Sequence, residues 1–146
     1  MPQLLPEILL VDDNPADLDL EREALARTTQ PSHISSVKDG EQALAFLRRE
    51  RPHEKAPRPD LVVLDLNLPR CDGRTVLAAV KTDAALHTIP IVVFTTSRSR
   101  QDIQRSYELG ANCYVSKPGS LQDFLSAVQA IQNFWFSCAT VPEKDN

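Results

Sequence analysis

The sequence predicts an α/β domain built on a doubly wound parallel sheet, and three observations predict it. Short apolar runs alternate with stretches of helical periodicity five times along the chain. Two of the runs, Leu61–Leu64 and Ile89–Phe94, carry no charge, as befits strands buried on both faces of a parallel sheet. Polar residues stand where the runs stop: Asp12 and Asp13 after the first, Asp65 after the third, Thr95 after the fourth and Lys117 after the fifth. In open α/β sheets that edge, outside the carboxyl ends of the strands, is where ligands bind.

Taken in order, Ile8–Val11 reads as the first strand. Asn14–Pro15 then opens a helix, a capping side chain followed by proline at the first helical position. Leu18, Glu21, Arg22 and Leu25 continue it at helical spacing until residues 28–32 break it. Ile34–Val37 is a weak second strand, expected at or near an edge. Asp39–Gly40 turns the chain into a second helix carrying Ala43, Leu44, Phe46 and Leu47. Arg48 to Arg58 is charged and contains proline, the composition of a frayed helix end and an exposed loop. Leu61–Leu64 is the third strand and Arg74–Lys81 the third helix. Ile89–Phe94 is the fourth strand. A fourth helix runs from about Arg100 to Leu109 and stops at Gly110, a C-terminal glycine signal. Asn112–Val115 is a short fifth strand, and Leu121 to about Ser137 a long last helix. Alternation of this kind demands right-handed crossovers, and five strands most economically take the flavodoxin-like order 2-1-3-4-5.

The bulk composition narrows the function classes. The 146 residues fit one domain. A net charge of -4 argues against a general nucleic-acid or acidic-membrane binder. No apolar run approaches the roughly 18 residues of a membrane span, and residues 1–7 lack the pattern of a signal peptide. Three cysteines without framework spacing fit a reducing compartment, so a cytoplasmic setting is expected. Of these, Cys71 should lie on a loop near the site, Cys113 buried in a strand and Cys138 exposed. His33, His53 and His87 are scattered and make no metal set.

In the 2-1-3-4-5 order, strands one and three are neighbours, and four and five lie beyond three. Asp12, Asp13, Asp65, Thr95 and Lys117 therefore converge on one rim. Three carboxylates so close repel one another unless a cation is present. The natural cation is Mg²⁺, which takes a few carboxylates and keeps several waters. Such a site invites phosphoryl chemistry: a carboxylate nucleophile forms an acyl phosphate, the metal and Lys117 neutralise the phosphoryl oxygens, and Thr95 donates to one of them.

These residues resemble the receiver domain of two-component response regulators. The motif set is Asp12–Asp13, Asp65 with Asn67, Pro69 and Gly73 behind it, Thr95, and Lys117–Pro118. The resemblance covers about residues 6 to 136 and implies a receiver over 6–137, a short polar tail over 138–146 and no output domain. It implies that Asp65 accepts a phosphoryl group from a sensor histidine kinase. Asp13, Asp65 and the backbone carbonyl of Asn67 would bind Mg²⁺, with Asp12 acting through water. Thr95 and Tyr114 would move together as the switch, beside Thr96, and Lys117 would bridge the phosphate and the acidic cluster. Such a protein is not an enzyme in the ordinary sense, although it can promote its own phosphorylation and dephosphorylation.

Leu64–Pro69, Phe94–Ser97 and Phe134–Phe136 resemble the small regulators that partner phytochrome-type histidine kinases, which implies a light-sensing kinase and a homodimer. Gly119 stands where many receivers carry an aromatic, a departure that spares the phosphate site and bears on the surface around the fifth strand. Phe124, Val128, Ile131 and Trp135 form a core stripe on the last helix. Phe134 and Phe136 lie about 100° to either side of Trp135, so at least one should be exposed. This aromatic end is a candidate dimer or kinase contact, with the fifth strand as a second candidate surface.

The competing function is a phosphate-independent dimerisation or binding module of the same fold. Such a module has no need of the full acceptor set. An aspartate-nucleophile phosphohydrolase would want a carboxylate where Asn67 stands. A flavin carrier would want a phosphate-binding loop where Asp12–Asp13 would repel phosphate.

Overall fold

Register and order bring the ends of the strands together. The computed structural model describes residues 5–143. Residues 1–4, part of the stretch read for a signal peptide, and 144–146, the end of the expected tail, lie outside the described residues. The elements run β1 (Glu7–Val11), α1 (Pro15–Ala26), β2 (His33–Val37), α2 (Gly40–Arg48), β3 (Leu61–Leu64), α3 (Gly73–Lys81), β4 (Ile91–Thr95), α4 (Arg100–Glu108), β5 (Cys113–Ser116) and α5 (Leu121–Asn133). All the strands pair in parallel, in the expected order β2-β1-β3-β4-β5.

The period-2 alternation of each strand divides the core into two layers. Leu9, Val11, Val62, Leu64 and Val93 pack with Ala43, Phe46 and Leu47 of α2 and with Val76, Leu77 and Val80 of α3. Ile8, Leu10, Leu61, Val63, Val92 and Phe94 pack with Leu18 and Leu25 of α1 and with Phe124, Val128 and Ile131 of α5. The inner strands β3 and β4 are buried at every position, whereas the edge strands β2 and β5 are only partly covered. The weak β2 sequence, with two serines, is tolerated because this edge strand is only partly covered, with Val37 alone reaching one core layer and Ile34 the other.

Side-chain caps start the helices, the first of them where the sequence signal placed it. Asn14 Oδ1 accepts from the backbone N–H groups of Ala16 and Asp17, with Pro15 at the first helical position. Asp39, Asp72, Ser99 and Ser120 cap α2, α3, α4 and α5. Gly110 ends the α4 turn at φ 106°, in the left-handed region glycine favours.

Several boundaries differ from the sequence reading. The fourth strand begins at Ile91, not Ile89, because Leu86–Ile89 closes a hydrogen-bonded turn first. The fifth strand is shifted one residue, to Cys113–Ser116, and Cys113 is half-buried rather than buried because β5 is an edge. The Arg48–Arg58 loop is tied back: Arg58 donates to the Leu47 carbonyl and His53 pairs with Gln42. The last helix does not run regularly to Ser137. After Asn133 it widens into a π-helical turn, Phe134–Cys138, closed by Ala139 N–H to the Phe134 carbonyl. A wider turn separates successive residues by less than the α-helical 100°. Trp135 and Phe136 therefore both lean, half-buried, on the α1/α5 core, while Phe134 is 52% exposed. Trp135 is thus a rim residue of the core stripe, not a member of its interior.

Candidate functional site

Val11 lies opposite Leu64 in the β1–β3 register, so the next residues, Asp12 and Asp65, leave the sheet side by side. Thr95 and Ser116 are partners across β4 and β5, which delivers Lys117 to the same rim. Asp12, Asp13 and Asp65 each place one carboxylate oxygen within 4.8 Å of the others. Asp12 and Asp65 are buried and Asp13 is exposed.

Lys117 reaches into this cluster with a buried stem. Its Nζ donates to Asp12 Oδ2 at 2.6 Å, to Asp17 Oδ2 at 2.8 Å and to Asp65 Oδ2 at 3.1 Å. Burial alone would push its pKa down. The hydrogen bonds that the ammonium donates to Asp12 and Asp17, then the charges of Asp12 and Asp65, outweigh burial and hold it well above the ordinary lysine range. The other oxygen of Asp65, Oδ1, accepts from the Thr95 hydroxyl at 2.7 Å and from the Asn67 N–H at 3.2 Å. Asp12 Oδ1 accepts from the Asn14 N–H. Burial makes Asp12 harder to ionise than an ordinary aspartate, against help from Lys117 and that N–H.

The donor set fits a hard divalent cation. Three carboxylates supply oxygen at one point, the exposed Asp13 leaves an approach from solvent, and Asp12 and Asp65 bring buried oxygens to the same place. Asp12, Asp13, Asp65 and the Asn67 segment would hold the ion, and its charge would polarise an oxygen ligand.

The loop behind Asp65 is held by close backbone packing. A Cβ on Gly73 would overlap the Asp65 carbonyl and come within 2.6 Å of the Leu66 Cα, so α3 can start against the site only with glycine there. Gly40 is pressed in the same way on the Cys71 carbonyl, which docks the start of α2 onto the loop after Asn67. Cys71 lies half-buried on that loop, as expected, and Cys138 is exposed.

Asp12, Asp13, Asp65, Asn67, Thr95 and Lys117 therefore come together as the sequence anticipates. Thr96 is exposed on the loop beyond Thr95. Tyr114 stands apart from the carboxylates: its hydroxyl donates to the Ser97 carbonyl at 2.9 Å, and its ring packs on the core. Phe134, Trp135 and Phe136 lie beyond the carboxyl end of α5, away from the rim.

Two acidic residues of the first helix were not read as part of the site. Asp17 is a direct partner of Lys117. Glu21 is 1% exposed and its Oε2 has no hydrogen-bond partner. Burial first, then the charge of Asp12, pushes its carboxyl up to about 8. A signal for both was present: Asp17 and Glu21 stand four residues apart in the first turns of the helix that follows Asp12–Asp13, on one of its faces.

Comparison with known proteins is consistent with this geometry. The family model for the response regulator receiver domain matches residues 8–129. The chain is 45% identical over 135 residues to the response regulator Rcp1 of Synechocystis sp. strain PCC 6803, covering 92% of each. The fold resembles that of the phosphorylated cyanobacterial phytochrome response regulator RcpA, with a TM-score of 0.92 and 47% identity, over 95% of this chain and 99% of that one. The Mn²⁺-bound form of Rcp1 gives a TM-score of 0.91 at 44% identity, over 94% of this chain and 99% of that one. No described helix is long and apolar enough to cross a membrane.

Proposed function

Because the chain belongs to the response regulator receiver family, we propose that Asp65 accepts a phosphoryl group from a sensor histidine kinase and that Mg²⁺ is the cation of the acidic pocket. Members of this family are signalling proteins rather than conventional enzymes, they work with a sensor histidine kinase, and they bind a divalent metal at the acidic pocket. The observation that carries the assignment is the pairing of Asp65: Thr95 and Asn67 on one oxygen, Lys117 on the other.

An Asp65 oxygen attacks the phosphorus of the donor, the bond from phosphorus to the donor imidazole nitrogen breaks, and an acyl phosphate forms on Asp65. Bound Mg²⁺ would neutralise charge on the transferring group. The Thr95 hydroxyl and the Lys117 ammonium, already on Asp65, would pass to phosphoryl oxygens. Thr96 and Tyr114 complete the switch, and the altered rim shifts a pre-existing equilibrium of α4 and β5. A small phosphodonor can replace the kinase if the site promotes its own phosphorylation.

The phytochrome-type kinase is proposed as partner on the likeness to Rcp1 and RcpA, and the cytoplasm as the setting. The receiver is proposed to span 6–137. Labelling with acetyl phosphate tests the central assignment. Mg²⁺-dependent label is expected on the wild type and none on Asp65→Asn. If the wild type takes no label from acetyl phosphate or from a cognate kinase, the phosphate-independent binding module is the better reading.

A homodimer is proposed through the aromatic end of α5, where Phe134 is exposed and stacks edge-on against Trp135 at 5.2 Å. Sedimentation at micromolar concentration is expected to show a dimer that Phe134→Ser weakens. A wild-type monomer with and without phosphate would remove this proposal.

A further inference from the structure

The helix α4 is fastened to the domain mainly by polar ties. Its only fully buried residue is Ser106, and the rest of its surface is half-covered or exposed. Tyr107 Oη accepts from the Tyr114 N–H at 3.0 Å, and the other side-chain ties converge on Asp102. Its Oδ1 accepts from Arg74 Nη2 at 2.6 Å and its Oδ2 from the Ser97 hydroxyl at 2.6 Å. Its backbone N–H donates to Ser99 Oγ, and its carbonyl accepts from Ser106 Oγ. Arg74 directly follows Gly73, which packs on the Asp65 backbone. Ser97 lies two residues beyond Thr95, and its carbonyl accepts from the Tyr114 hydroxyl at 2.9 Å and from Ser116 Oγ at 3.3 Å.

We propose that Arg74 and Asp102 are positioning residues for the Tyr114 switch: their ion pair, continued through the Ser97 hydroxyl, holds the Ser97 carbonyl where Tyr114 can donate to it. The inference rests on the receiver reading above for its signalling consequence, while the latch itself is a property of the phosphate-free protein. The Arg74 and Asp102 side chains are only 29% and 25% exposed, so this pair is less screened than a surface ion pair. The Ser97 hydroxyl, and next the Arg74 guanidinium, hold the Asp102 carboxyl below the usual range, as expected if it stays ionised in the latch. The charge-assisted bonds span three elements that no apolar contact of Asp102 could join.

The chain has two tyrosines, so ¹⁹F NMR of protein labelled with 3-fluorotyrosine gives two signals, assigned with Tyr114→Phe. In phosphate-free protein, Arg74→Gln and Asp102→Asn should each raise the ratio of released Tyr114 to Tyr114 bonded to the Ser97 carbonyl about tenfold or more, the scale of one hydrogen bond to a charged group. The double variant should match either single one, since both break the same latch. Ser97→Ala, which leaves the ion pair intact, should move the Tyr114 signal in the same direction. An unchanged Tyr114 signal in folded Arg74→Gln and Asp102→Asn overturns the proposal, as do fully additive effects in the double variant. Beryllofluoride with Mg²⁺, added separately to the wild type, tests the acceptor reading: no response there would fail that reading while the phosphate-free spectra still decide the latch.

Discussion

Lys117→Met should destabilise the metal-free protein by about 3–5 kcal/mol, the cost of leaving buried charge without its partner. The Lys117 side chain is 4% exposed and those of Asp12 and Asp65 2% and 10%, so solvent does little to screen the loss. Without the ammonium, Asp12, Asp13 and Asp65 face one another with no counter-charge. A divalent cation should then restore part of the stability, because it binds only the folded cluster. Urea unfolding followed by circular dichroism, in EDTA and in Mg²⁺, measures both effects. Asp17→Asn should cost much less, since that carboxylate is 21% exposed and is one of three partners. If Lys117→Met in EDTA is as stable as the wild type, the ammonium is not what holds the acidic cluster together.

Glu21 should make the protein lose stability as pH rises from about 4.5 to about 8. The unfolded chain ionises this glutamate near 4.5, whereas the folded protein keeps its proton up to about 8. Between those values the native state binds more protons, so the free energy of unfolding falls with pH. The contribution is fully present below about 4.5 and is gone above about 8. The shift corresponds to roughly 3–5 kcal/mol at most. Asp12, also raised by burial, adds to the slope in the same direction, and Asp102, held low, acts only in the acid range. Glu21→Gln keeps the shape and removes the charge. It should flatten the slope and leave the protein more stable than the wild type at pH 8. Equal slopes in urea titrations across this range would mean that Glu21 is ionised or hydrated in the native state.

The strand ends were legible because their signals are local. A run such as Leu61–Leu64 needs only its own composition to read as a buried strand, and the residue after it is then placed at the rim. Once the order is known, Asp12, Asp65, Thr95 and Lys117 fall together. Caps at Asn14 and the stop at Gly110 were readable for the same reason: each works through its own neighbours in the chain. The π-helical turn after Asn133 was not, because straight helical spacing continues through Phe134–Phe136 in the sequence and only packing against the α1/α5 core widens it.

Composition and periodicity alone determined the alternating α/β plan, the economical strand order and the identity of the residues at the rim. The depth of the charges was decided by the tertiary structure. Asp17 is bonded to a lysine 100 residues away, and Glu21 is buried because α1 turns that face toward the site. Asp102 becomes a junction only when α3, the β4–α4 loop and α4 meet. A hydrophobic pattern says which side of a helix faces inward. Whether a carboxylate on the margin of that side finds an ammonium, a hydroxyl or nothing depends on distances between elements, and those are fixed by how the whole sheet and its helices pack.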